Sequence, residues 1–239
     1  MAPYRSRKYK RRRNKWRRQP RKATRKTYQK RRRPRLVGMG TPSGMPIMKV
    51  AKLRYCEETG FTSTSGAFST HVYKANDVYD PDYSGGGHQP MGFDQWALLY
   101  NHYIVLGSRM RVYLHASDSN TDSMTCGIYL DDDQTLSYNT IPALIEARKG
   151  SFAQVGLPAG GNVGKKLTGK FSTKKYFNIT NVKDNLDRLG ANVASSPSET
   201  ASYHLWYQTA DQVTTASLRA VVIIDYIVLF SEPKSLAQS

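Results

Sequence analysis

The residues able to do covalent or metal chemistry are few and badly placed for it. The five histidines, His71, His88, His102, His115 and His204, form no His-Glu-x-x-His pair, no other metal-ligand spacing and no nucleophile motif. Gly160-Gly161-Asn162-Val163-Gly164-Lys165-Lys166 resembles a nucleotide phosphate loop only in passing. Its first glycine stands four rather than five positions before Gly164, and Lys166 occupies the place of the magnesium-binding hydroxyl. Asp131-Asp132-Asp133 could offer oxygens to a hard cation, but no calcium-loop glycine or distal glutamate follows, so a solvated turn is the expectation. Cys56 and Cys126 are 70 positions apart, which writes neither a disulfide framework nor a Cys-x-x-Cys site and suits a reducing compartment. We therefore expect no enzyme, no catalytic residue, no metal and no cofactor.

The chemistry that the sequence does concentrate is electrostatic. Residues 1–35 hold 19 of the 36 Lys and Arg and none of the 18 acids. They come in blocks: Arg5, Arg7, Lys8, Lys10, Arg11, Arg12 and Arg13, then Lys15, Arg17, Arg18, Arg21 and Lys22, then Arg25, Lys26, Lys30, Arg31, Arg32, Arg33 and Arg35. Tyr4, Tyr9, Trp16 and Tyr28 stand between them. A guanidinium fork matches phosphate oxygens, each neutralised phosphate releases counterions, and an interleaved ring such as Trp16 can stack on an unpaired base. No apolar helical periodicity runs through the segment, so it is read as a charge-driven, sequence-blind nucleic-acid-binding arm. A mitochondrial presequence would need an apolar face and serines, and a solubilising tail would not need so many charges of one sign. A nuclear-localisation role is compatible with the same clusters.

A second basic cluster, Lys165, Lys166, Lys170, Lys174 and Lys175, has no acid among its members. It reads either as an edge strand made cationic against unwanted pairing or as a surface for an anionic ligand, phosphate or sulfated glycan.

These groups need elements to hold them. The arm cannot fold alone, because it offers little apolar surface and its charges repel; it is expected to be disordered, with a reach of about 115 Å when extended. Residues 36–46 form a Gly/Pro-rich hinge, and residues 47–239 one folded domain, since the 204 residues after the arm are near neutral and long enough for a single core. Period-two alternation marks half-buried strands. It is clearest where Ile104, Leu106, Met110, Val112 and Leu114 share a face opposite Arg109, Arg111 and Tyr113, and recurs at 124–130 and 203–207. Weaker strands are expected at 47–56, 67–75, 151–155 and 171–179, and a central strand, apolar on both faces, at 218–230. Helices are expected at 93–103, 141–148 and 182–189. No apolar run is long enough to span a bilayer, the longest being 220–230 with Asp225 inside it. The expected class is all-β, an eight-stranded jelly-roll sandwich with a disordered basic arm.

One local motif adds to this layout: Gly87-His88-Gln89-Pro90-x-Gly92-Phe93-Asp94-Gln95-Trp96-x3-Tyr100-x2-Tyr103. Core packing is the default use of its aromatic residues. With the arm and hinge, it resembles the capsid proteins of circovirus-like viruses, whose small circular single-stranded DNA genomes encode a replication initiator. The resemblance spans the chain in layout and residues 85–116 in sequence. It implies a jelly-roll capsid protein that self-assembles into an icosahedral shell of sixty copies, with arms inward on single-stranded viral DNA. It further implies partners in nuclear-import receptors and a host cell-surface receptor or glycan, and residence in the virion and, during assembly, the host nucleus. A jelly-roll coat protein of an RNA virus is the nearest alternative. A cellular, ribosomal-type nucleic-acid-binding protein would explain the arm but not the near-neutral body.

Overall fold

The computed structural model describes residues 45–117, 120–157 and 164–235. The arm and all but the last two residues of the hinge lie outside them. Among the described residues there are nine strands: β1 (Met48–Ser63), β2 (Ser69–Lys74), β3 (Tyr100–Ala116), β4 (Met124–Asp131), β5 (Gly150–Val155), β6 (Gly164–Ser172), β7 (Gly190–Asn192), β8 (Ser202–Thr209) and β9 (Ala216–Pro233). They form two antiparallel sheets, β1-β9-β3-β6 and β2-β8-β4-β5, with the three-residue β7 added against β3. Leaving β7 aside, the eight long strands occupy the sheets as first-eighth-third-sixth and second-seventh-fourth-fifth. Every connection except that between the fourth and fifth crosses from one sheet to the other, which is the winding of a jelly roll.

Alternation explains the layering. Leu53 and Tyr55 on β1, Met110, Val112 and Leu114 on β3, and Val222, Ile224 and Tyr226 on β9 turn inward from the first sheet. Met124, Cys126, Ile128, Tyr203 and Leu205 meet them from the second. Burial pushes the Cys126 thiol up to about 12, so it behaves as a small apolar core residue. The 218–230 run is apolar on both faces because β9 lies between β1 and β3, and part of its outer face is covered as well. Phe177, Ile179, Val182, Leu186 and Leu189, from the connection after β6, cover Ile104 and Leu229 there. On the outer face of the second sheet, Gly127 faces Trp206 in register, and a Cβ at Gly127 would fall 2.4 Å from the indole; only glycine lets that ring lie across β4.

Three expectations need correction. The helix expected at 93–103 is α1 (Phe93–Leu99), and Tyr100 already belongs to β3. The chain turns extended at Tyr100, pairs with Pro233 and donates the Tyr100 hydroxyl to the Pro46 carbonyl, so strand pairing overrides the helical spacing of the aromatics. The strand expected at 171–179 is displaced: β6 ends at Ser172, and α3 (Thr173–Tyr176) follows. Thr173 begins that turn by donating its buried hydroxyl to the Val105 carbonyl at 2.5 Å. Leu167 and Phe171 are the deeply buried residues of β6, with Gly169 midway between them, so the strand carries no run of alternating apolar residues to announce it. β1 runs seven residues beyond the expected end at Cys56, its polar second half held by β9. The helix expected at 141–148 is α2 (Ile141–Glu146), and the one at 182–189 is a 3₁₀ turn leading into α4 (Leu186–Leu189). Among the described residues no helix is long and apolar enough to cross a membrane.

Candidate functional site

The two outer faces of the sandwich differ in charge, and the difference follows from strand register. On the outer face of the β1-β9-β3-β6 sheet, Asp225 of β9 lies between Arg54 of β1 and Arg109 of β3, both in direct register with it. Its carboxylate accepts from Arg54 Nε at 2.6 Å and from Arg111 Nη2 at 2.5 Å. One strand further, Arg109 is opposite Lys170 and Tyr113 opposite Lys166 on β6. The Lys166 ammonium stands 5.1 Å from the centre of the Tyr113 ring; its hydrogen bond, helped by its charge and that of Arg111, holds the Tyr113 phenol below its ordinary range. Lys52, Arg109, Lys166 and Lys170 are exposed and make no ion pair among the described residues. Beside them lies an open groove of about 810 Å³, bordered by Lys52, Arg54, Leu106, Arg109, Phe171 and Ile227.

Among the described residues the opposite outer face carries no such band. Trp206, Tyr129 and Leu144 of α2 form an apolar cluster there, and Lys149 is paired with Asp131 at 3.3 Å. A sandwich with one cationic face and one apolar, charge-balanced face is electrostatically two-sided, and a polyanion would be drawn to the first.

The second basic cluster of the sequence is therefore divided by the fold. Lys166 and Lys170 lie on the edge strand β6 and join the arginines of β3. Lys165 alternates to the other side of β6, opposite Leu114, while Lys174 and Lys175 are on α3. Sequence reasoning placed Arg109 and Arg111 on one strand face but missed their union with Arg54, Asp225, Lys166 and Lys170. The alternation signal was present in each strand; the pairing of β1, β9, β3 and β6 is not a local property. All the arm residues, Arg5 to Arg35 with Trp16, lie outside the described residues.

The motif at 87–103 is packing. Gly87 lies so close to Tyr55 and Asp82 that a Cβ there would come within 2.7 Å of the Tyr55 hydroxyl. That close approach seats His88 in a stack on the Tyr55 ring, centroids 4.8 Å apart. Trp96 stacks on Phe230 at 5.5 Å, and Phe93 meets Tyr103 edge-on at 5.6 Å. The motif closes one region of the core and presents no reactive group.

The remaining candidates are also tied into the fold. Asp131 is buried and accepts from Lys149 and, at 3.4 Å, from the Ser137 hydroxyl, which makes the acidic triplet a braced turn. Among the described residues no three His, Cys, Asp or Glu are grouped to hold a metal. His71 faces Asp82 at 3.0 Å, and His102 faces Glu232 at 3.0 Å.

His204 is buried on β8 with Nε2 2.9 Å from the Asp133 carbonyl oxygen. Burial lowers its pKa, outweighing the opposing pull of that carbonyl and of Asp131 and Asp133. The unfolded chain therefore takes up this proton first. The stability that His204 contributes is full above about pH 6.5 and is lost as pH falls through that value, by at most ~1.4 kcal/mol per pH unit. The His204→Gln variant should accordingly lose less melting temperature than the parent between pH 7 and pH 5. Equal losses in the two proteins would contradict it.

No protein-family model matches the chain, and no curated protein matches it. Solved structures similar to it include Cocksfoot mottle virus, with 15% identity over 78% of this chain and 94% of that chain and a TM-score of 0.46. The 60-mer BFDV capsid protein shares 9% identity over 82% and 100% of the two chains, with a TM-score of 0.44. Turnip yellow mosaic virus shares 13% over 81% and 86%, with a TM-score of 0.42. The fold assignment itself rests on the strand order given above.

Proposed function

We propose that this chain is a viral capsid protein that self-assembles into a small icosahedral shell of about sixty copies and packages a circular single-stranded DNA genome through its basic arm. The observation that carries the reading is the joining, in one chain, of a complete jelly-roll strand order to an acid-free segment with 19 cations. The fold alone would not carry it, because one fold hosts many functions. The resemblance carried by the motif at 87–103 supports the circovirus-like version over an RNA-virus coat protein.

In this reading residues 1–35 neutralise the genome and residues 47–239 build the wall. Sixty arms would bring about 1,100 positive charges, enough for on the order of a thousand phosphates. Packaging is then charge neutralisation without sequence readout, and no catalysis is required. Before assembly the arm would engage nuclear-import receptors, and condensation on DNA would hide it. A host receptor or glycan would meet the outer loops of the assembled virion.

The test is to purify the full chain without nuclease and image it by negative-stain electron microscopy while extracting bound nucleic acid. Closed uniform shells that protect nucleic acid from added nuclease are the expected result. A chain that stays monomeric across salt and pH would overturn the capsid reading and favour a ribosomal-type binding protein.

A further inference from the structure

The folded domain carries cations that the arm hypothesis does not use. We propose that the outer face of the β1-β9-β3-β6 sheet is a second nucleic-acid contact, in which Arg109, Lys166 and Lys170 take backbone phosphates while Arg54 and Arg111, fixed by Asp225, flank them. This inference rests on the capsid reading above and extends it from the arm to the wall.

Three observations carry it. The first is an excess of positive charge: Lys52, Arg54, Arg109, Arg111, Lys166 and Lys170 share the face, and the acids on its strands beside them are Asp225, which pairs with Arg54 and Arg111, and Glu58. The second is preorganisation. Asp225 takes one N–H from each of two guanidiniums, which fixes their planes and leaves each with further donors for phosphate oxygens. An arginine held in this way loses less freedom when it binds than one that is loose. The third is shape: four paired strands spread the cations over roughly 14 Å, and along β3 the outward side chains recur every ~6.8 Å, comparable with neighbouring phosphates in an extended strand.

Tyr113 favours nucleic acid over a sulfated glycan. Its ring is on the same face under Lys166, and a π surface beside phosphate-binding cations suits an unpaired base. A sulfated glycan would meet the same cations through its sulfates, and the heparin comparison below separates it from nucleic acid. Lys174 and Lys175, although in the same sequence cluster, are on α3 and outside the band.

The experiment uses the full chain and a labelled 30-nucleotide oligo(dT), with affinity followed by anisotropy over a range of salt concentrations. Replacing Arg109, Lys166 and Lys170 together by Gln should make the slope of log affinity against log salt shallower by about 2, from ~0.7 per phosphate contact on a single strand. The triple change of Lys174, Lys175 and Lys183 to Gln removes the same charge elsewhere and should move the slope by less than half of that. In the unaltered chain, oligo(dT) should also slow acylation of Lys166 and Lys170 relative to Lys174. An unchanged slope for the face variant, or equal acylation with and without DNA, overturns the proposal. So does a face variant whose retention on heparin falls while its oligo(dT) slope stays put, since the band would then be a glycan surface. An arm variant with blocks of Arg changed to Gln separates the two readings: if it also binds unchanged, packaging by the arm fails too.

Discussion

Deleting residues 2–35 should lower affinity for single-stranded DNA by at least ~10³-fold at low salt and flatten its salt dependence. If about half of the 19 arm cations meet phosphates, the arm should contribute about −7 to the slope and the full chain, with the sheet face, should show about −9, because each contact on a single strand contributes about −0.7. The truncated chain retains only the sheet face, whose few contacts predict a slope no steeper than about −3. The core and both sheets described above lie within residues 45–235, so the truncated chain should keep its fold and its cooperative melting. Anisotropy titrations across a salt series, with circular dichroism as the check on folding, would measure both. A truncated chain that binds with the parental slope would place the nucleic-acid site wholly in the folded domain. A truncated chain with no residual binding would leave the arm as the whole site and remove the Arg109–Lys170 band from it.

How legible each part was depends on whether its signal is local. Arm charge is a property of composition, so it needs no fold to be read. The long strands β3, β4 and β8 were visible because one face of each is apolar at every second position, as with Met110, Val112 and Leu114. β6 is only partly legible: its deeply buried side chains, Leu167 and Phe171, are four apart, and its lysines fit a cationic edge strand and an anion-binding surface equally well. The helical spacing of Phe93, Trp96, Tyr100 and Tyr103 predicts a helix through Tyr100, but the Tyr100–Pro233 pairing that decides its state spans more than 130 residues. The cationic face was half legible. Arg109 and Arg111 are on one side of a readable strand, but Asp225 comes from the other end of the chain, and its pairing with Arg54 exists only once β9 lies between β1 and β3.

The largest effect on stability should come from a residue that no pattern singled out, Asp77. It is wholly buried; its Oδ1 accepts from the Tyr103 hydroxyl at 2.7 Å and the Tyr79 amide at 2.9 Å, and its Oδ2 from Lys74 Nζ at 3.3 Å. Lys74 is itself buried and donates also to Asp80 at 2.8 Å, while its carbonyl accepts from the Tyr226 hydroxyl. Burial works to lower the Lys74 pKa, but the Asp80 hydrogen bond and the Asp77 charge outweigh it, so the ammonium stays charged in the interior. Asp77→Ala leaves that charge with one half-exposed partner and strips an acceptor from Tyr103. The expected cost is about 3–5 kcal/mol, a fall in melting temperature of roughly 6–20 °C for a domain of this size. Adding Lys74→Met to Asp77→Ala should recover part of the loss, because the stranded charge disappears with it. If the double variant melts no higher than the single one, the penalty lies in the Tyr79 and Tyr103 hydrogen bonds, and the network holds the 77–80 turn by geometry rather than by charge.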